Sequence, residues 1–156
     1  MSALDMKSQI AILYPTDPLG YVPSGIDSFI KGIMKWSPPD LEYTLFGASS
    51  DTAERPLGQS AAVPTATGSK ANYVPVVSMQ ASARRDLIPL TVRYMSGLRR
   101  YIRRGLLRQF QVLDFHRIEP LLLFRRDGRP KNLIVHADSS VLRQKNCDIM
   151  WKHWPG

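Results

Sequence analysis

The sequence predicts an α/β fold, a Rossmann-like three-layer sandwich with a mostly parallel central sheet. Two observations predict it. Apolar runs of strand length alternate with segments of helical periodicity, as in sheets covered by helices on both faces. The first of these runs, "QIAILY" (9–14), is apolar almost throughout, which suits a strand buried on both sides. With 156 residues and 44% hydrophobic content, the chain is one domain's worth and can bury a sizeable core.

Each element follows from local chemistry. After the first strand comes a long loop, "PTDPLGYVPSG" (15–25). Ser24 stands there as a helix N-cap, with Asp27 three residues on in the manner of a capping box. Ile26, Phe29, Ile30, Ile33 and Met34 recur at helical spacing, and Pro38-Pro39 stops that helix. "LEYTLF" (41–46) alternates as a strand does. Residues 47–72 are rich in Ala, Ser, Thr, Gly and Pro, and weak strands near 59–63 and 72–77 form a small hairpin. From about Arg85 to Arg108 the pattern is helical again. Leu87, Thr91, Tyr94, Met95, Leu98, Tyr101, Ile102 and Leu106 make its apolar side. A strand "FQVLDF" (110–115), a short helix over 120–124 and a strand "NLIVHA" (132–137) complete the series. No repeat recurs at a fixed period.

The net charge is +8 and one-sided. Between Arg84 and Lys131, 12 Arg and 1 Lys oppose Asp86, Asp114, Glu119 and Asp127, leaving +9 there and −1 elsewhere. Arg93, Arg99, Arg100, Arg103 and Arg104 line the polar side of the second helix, a surface suited to an anionic membrane or phosphorylated partner. A merely solvated basic helix is the alternative. Nucleic acid is the less fitting partner, since no aromatic stacking platform accompanies the charge. No 18-residue apolar run suggests a membrane span, and "MSALDMKSQ" lacks the order of a signal peptide. The single Cys147 cannot form an internal disulfide, which favours a reducing, cytoplasmic setting. A zinc site is not expected, with His116, His136 and His153 the only histidines.

In a parallel sheet, ligands gather where strand-to-helix loops emerge. That rim receives the 15–25 loop, His116 with Glu119, and His136 with Asp138. Two His/acid pairs at adjacent strand ends can bind hydroxyl-rich ligands or assist proton transfer. Ser24-Gly25 offers unpaired helix N–H groups to an anion, although neither a dinucleotide fingerprint nor a P-loop is present. An ordinary helix cap is the alternative there. No serine or cysteine has a nucleophile-elbow context.

The ordered set "QIAILYP", "SGIDSFIKGI", "FQVLDFHRIEP" and "NLIVHAD" resembles the N-terminal half of a family 4 retaining glycosyltransferase of the GT-B group. The resemblance covers most of the chain, with residues 47–80 the least similar. It implies that the first loop lines a cleft between two Rossmann-like domains, where a nucleotide-sugar donor meets a glycan or lipid-linked acceptor. It further implies His136 as the catalytic-cleft histidine, with Ser24, Gly25, His116, Glu119 and Asp138 as substrate-binding neighbours. No cofactor and no obligatory metal are implied. The basic helix fits members that act on lipid-linked acceptors at the inner face of a membrane. Ser24 departs from the family's usual first glycine. Glutamate occurs only at 42, 54 and 119, so the family's E-x7-E donor-binding motif is lacking. The chain is therefore expected to be an isolated acceptor-side domain, with little or no activity alone.

Overall fold

The computed structural model describes residues 7–20, 24–80 and 88–136. Its elements run β1 (Ser8–Leu13), α1 (Gly25–Lys35), β2 (Leu41–Ser49), β3 (Ala61–Ala62) and β4 (Lys70–Ser78). Then follow α2 (Leu90–Arg103), β5 (Val112–Phe115), α3 (Ile118–Leu121) with a 3₁₀ turn (Leu122–Phe124), and β6 (Lys131–Leu133). The sheet order is β3-β4-β2-β1-β5-β6. All neighbours pair in parallel except β3, which lies antiparallel on the edge of β4. This is a Rossmann-like α/β sandwich, as the alternation of strands and helices predicts.

Strand alternation builds two cores from one strand. Ile12 and Tyr14 point to one face, where they pack with Ile30 and Met34 of α1. Ala11 and Leu13 point to the other, where they pack with Tyr94 and Leu98 of α2. Both helices are amphipathic, and each buries its apolar stripe on the sheet. The Tyr94 hydroxyl donates to the Phe46 carbonyl at 2.7 Å, satisfying the polar tip of a fully buried ring.

Several boundaries differ from the sequence expectation. The expected weak strand at 72–77 is a nine-residue interior strand, β4, and Pro75 does not break it. The β2–β4 register shifts after Gly47–Pro75 and resumes at Ala48–Val77, so Val76 is an extra residue at a bulge. A proline without an N–H is tolerated beside such a bulge. The antiparallel hairpin itself is present as β3 and β4. The basic helix stops at Arg103 rather than Arg108. Gly105 adopts a positive φ of 72°, and its N–H bonds back to the Ile102 carbonyl. The chain leaves the helical phase there, so Leu107 rather than Leu106 enters the core. The last strand spans only Lys131–Leu133, and His136 lies three residues beyond it.

Candidate functional site at the sheet switch point

Strand order reverses at β1, which has β2 on one side and β5 on the other. The connection after β1 runs to α1 and β2; that after β5 runs to α3 and β6 on the opposite side. The two loops depart in opposite directions from their strands' C-terminal ends, the place where open α/β sheets bind ligands.

The wall nearest β2 is the 14–20 loop, and it is firmly held. Asp17, with no exposed surface, accepts through Oδ1 from the Leu19 and Gly20 N–H groups at 3.1 and 3.0 Å. Its Oδ2 accepts from Ser50 N–H at 2.9 Å, the Ser50 hydroxyl at 2.7 Å and Arg55 Nε at 2.9 Å. Burial by itself would raise the Asp17 pKa, but the bonds from Ser50 and Arg55 outweigh it and hold the carboxyl below its ordinary value. Lys31 of α1 donates to the Gly20 carbonyl at 2.6 Å, and Ala48 N–H donates to the Thr16 carbonyl at 3.0 Å. The absence of a side chain at Gly47 allows that last approach, because a Cβ there would collide with the Thr16 carbonyl. Composition alone gave no hint of Asp17 as an anchor. The local signal was the Asx-type turn in "TDPLG"; the distant partners Ser50 and Arg55 have none.

Ser24 caps α1. Its Oγ accepts from the Asp27 N–H at 3.1 Å, and its hydroxyl donates to the Asp27 carboxylate. Asp27 is buried and already places a carboxylate in the first turn, where a bound phosphate would sit. Gly25 stands in the open: apart from its chain neighbours and the backbone of its own helix, no described atom lies within 4 Å of where its Cβ would be.

On the other side of the switch point, β5 ends in Phe115 and delivers His116, which is buried. His136, following β6, brings its Nε2 to 2.8 Å from His116 Nδ1. The two histidines, expected on a common rim with Glu119 and Asp138 as their partners, are in direct contact with each other. Phe29 of α1 closes on both, with ring centroids 5.8 Å from His116 and 5.1 Å from His136. Tyr14 approaches His116 edge-on at 6.2 Å. Phe29 was expected in the core stripe but is 45% exposed, and it forms the floor of this rim. The His136 pKa lies below the ordinary histidine value, through burial first and the neighbouring His116 second, with Asp114 opposing.

The expected acid partners rearrange. Glu119 does not pair with His116; it accepts from Arg117 Nη2 at 2.7 Å and Nε at 3.3 Å. Burial would raise the Glu119 pKa, but Arg117 brings it below the ordinary value. The acid facing His116 is Asp114, with Oδ2 3.7 Å from Nε2. Asp138 lies outside the described residues, as do Cys147, Lys145, His153 and Leu87. Tyr14 completes the rim, its pKa raised by burial and by the Asp27 carboxylate, with Arg117 opposing. No three His, Cys, Asp or Glu side chains among the described residues are grouped as metal ligands.

Two further features lie elsewhere. Arg99, Arg100, Arg103 and Arg104 are exposed and, with Ser96, surround a groove of about 430 Å³ on the outer side of α2. At 100° per residue they span roughly 140° of the helix, away from buried Tyr94 and Leu98. Arg93 is occupied differently, donating to the main-chain carbonyls of Ser78 at 2.8 Å and Ile88 at 3.2 Å. A cavity of about 400 Å³ opens at the opposite, N-terminal edge of the sheet, beside Gln9, Glu42, Asn72 and Tyr101. It lies away from the switch point, and the rim is the better candidate on topological grounds. No helix among the described residues is long and apolar enough to cross a membrane. Comparison with protein-family models, curated proteins and solved structures gives no match.

Proposed function

We propose that this chain is the N-terminal, acceptor-side half of a GT-B glycosyltransferase. The complete enzyme would transfer a hexose with retention from a nucleotide-sugar donor to a glycan or lipid-linked acceptor. The observation that carries the reading is the meeting of His116 and His136 at the switch point, beside the α1 turn that bears Gly25 and Phe29. An aromatic floor with polar imidazole edges suits a sugar, which offers apolar C–H faces and hydroxyls together. His136 is the group placed to meet a reacting hydroxyl; His116 and Glu119 shape the pocket around it. Gly25 lets a ligand approach the α1 backbone. Ser24 acts through the cap, and the donor phosphates belong chiefly to a second domain. The exposed arginines 99–104 would hold the domain at the anionic cytoplasmic surface of a membrane.

The test is donor turnover by the gene's complete product, using a panel of UDP- and GDP-hexoses. Hydrolysis or transfer that falls at least about a hundred-fold in H136A supports the reading, in line with loss of a proton-transfer group. Absence of binding and of turnover with every donor refutes it. A second reading rests on the arginine groove: a non-catalytic basic α/β module on an anionic membrane or nucleic acid. Oligonucleotide binding with a steep salt dependence would favour that reading.

A further inference from the structure

The contact between the histidines has a definite geometry. Their ring centroids are 5.1 Å apart and their planes differ by only 19°. The nitrogens Nδ1 of His116 and Nε2 of His136 are 2.8 Å apart. The centroid separation exceeds the N···N distance by about two ring radii, so both nitrogens lie on the line of centres. That line is then contained in both ring planes. The imidazoles meet edge to edge in nearly one plane, and the contact is an in-line N–H···N hydrogen bond rather than a face-to-face stack.

Such a bond holds one proton, and something must decide which ring owns it. Asp114 is placed to decide. Its Oδ2 lies 3.7 Å from Nε2 of His116, and the His116 side chain has no exposed surface. Asp114 Oδ1 and His116 Nε2 are both buried with no hydrogen-bond partner among the described residues, the 3.7 Å from Nε2 to Oδ2 being an electrostatic contact beyond hydrogen-bond distance. A carboxylate facing a bare imidazole lone pair in a buried site is unfavourable, whereas an N–H pointing at it is stabilised. The other charged or titratable groups nearby do not compete for that nitrogen. Arg117 and Glu119 pair with each other, Asp27 takes the Ser24 hydroxyl, and Tyr14 and Tyr43 are held protonated, chiefly by burial.

We propose that Asp114 is a positioning residue that sets the tautomers of both histidines and leaves Nδ1 of His136 as a proton acceptor. Asp114 fixes His116 as the Nε2–H form. The Nδ1 of His116 then accepts, so His136 must donate through Nε2–H. A neutral His136 carries its lone pair on Nδ1, where no described residue donates to it. When a bound hydroxyl yields its proton there, the O–H bond breaks, the electron pair stays on oxygen, and an N–H bond forms on His136. The resulting imidazolium is stabilised through His116 by the Asp114 carboxylate, which does not itself take the proton. That the hydroxyl belongs to a sugar rests on the function proposed above; the proton arrangement does not.

The experiment is ¹⁵N–¹H correlation of ¹⁵N-histidine-labelled protein above pH 8, with H136Q and H153Q to assign the rings. Expected are pyrrole-type Nε2 and pyridine-type Nδ1 signals on both His116 and His136. D114N presents an amide donor to His116 Nε2, so the major tautomer should invert on both rings together. A wild-type spectrum showing Nδ1–H on either ring overturns the proposal, as does D114N with unchanged tautomers. Should D114N fail to fold, the wild-type spectrum alone decides. Expected tautomers in a protein that turns over no nucleotide sugar would leave the relay standing and remove its sugar.

Discussion

Replacing Asp17 with asparagine should cost about 3 kcal/mol of stability at pH 7, the lower end of the roughly 3–5 kcal/mol for removing one partner of a buried ion pair. The substitution is nearly isosteric. Oδ1 still accepts from Leu19 and Gly20, but an amide NH₂ then faces three donors, Ser50 N–H, Ser50 O–H and Arg55 Nε. The Arg55 side chain is only 14% exposed and keeps a single acid, Glu54 at 2.7 Å, which is why the lower end applies. Against a typical stability of about 5–15 kcal/mol, this is a large fraction. For a chain of this size it lowers Tm by roughly 6–12 °C. The pH dependence supplies an independent check. The folded Asp17 pKa lies below its ordinary value, so its contribution is fully present above the unfolded pKa and is lost as pH falls through the lower folded one. The gap between wild type and D17N should therefore shrink on acidification below about pH 4. Urea unfolding followed by far-ultraviolet circular dichroism measures both. A gap under about 1 kcal/mol at pH 7 with an unchanged m-value would refute the reasoning, as would a gap that widens in acid.

The His136 pKa is depressed in the fold, so between that value and the higher unfolded one the unfolded chain binds more protons. Stability should fall as pH drops through this window, and H136Q should show a shallower slope in urea titrations from pH 7.5 to 5. Arg129 donates to the Phe110 carbonyl at 3.0 Å, to that of Leu107, and to Asp127, whose pKa it helps to bring down to about 2. R129A should cost about 2 kcal/mol in the same assay, the range for hydrogen bonds from a charged group. Replacing Arg99, Arg100, Arg103 and Arg104 together with serine should leave the fold intact. In sedimentation with phosphatidylserine vesicles it should weaken binding about a thousand-fold, at ~1 kcal/mol per side chain. Equal sedimentation of the quadruple variant and wild type would remove the membrane role.

Local chemistry made the frame legible. Ser24 and Asp27 announced the start of α1 because a cap is decided within four residues. β1 was readable because burial on both faces leaves an uninterrupted apolar run. The end of the basic helix was not, since one glycine at positive φ overrides a continuing apolar period. "NLIVHA" misled for another reason. The strand stops at Leu133, and Val135 beyond it is 66% exposed, so its apolar residues do not mark a buried strand. Pro75 hid the length of β4 because its compatibility depends on a bulge registered against Gly47, a residue of another strand. The site divides in the same way. The histidines' positions followed from strand ends, but Asp114 rather than Glu119 faces His116. Strand alternation puts residue 114 on the same face as 116, whereas Glu119 turns with α3 towards Arg117. The Asp17 anchor joins residues 33 and 38 positions apart, and no local pattern carries that.

Amide chemical-shift mapping with UDP-hexose, GDP-hexose and free hexoses, each titrated into the chain, tests the central claim most directly. The signals expected to move are those around Gly25, Phe29, His116 and His136, with hexose alone sufficient to move the last three. Shifts confined to Arg99–Arg104, and produced equally by inorganic phosphate, would contradict a sugar site at the switch point.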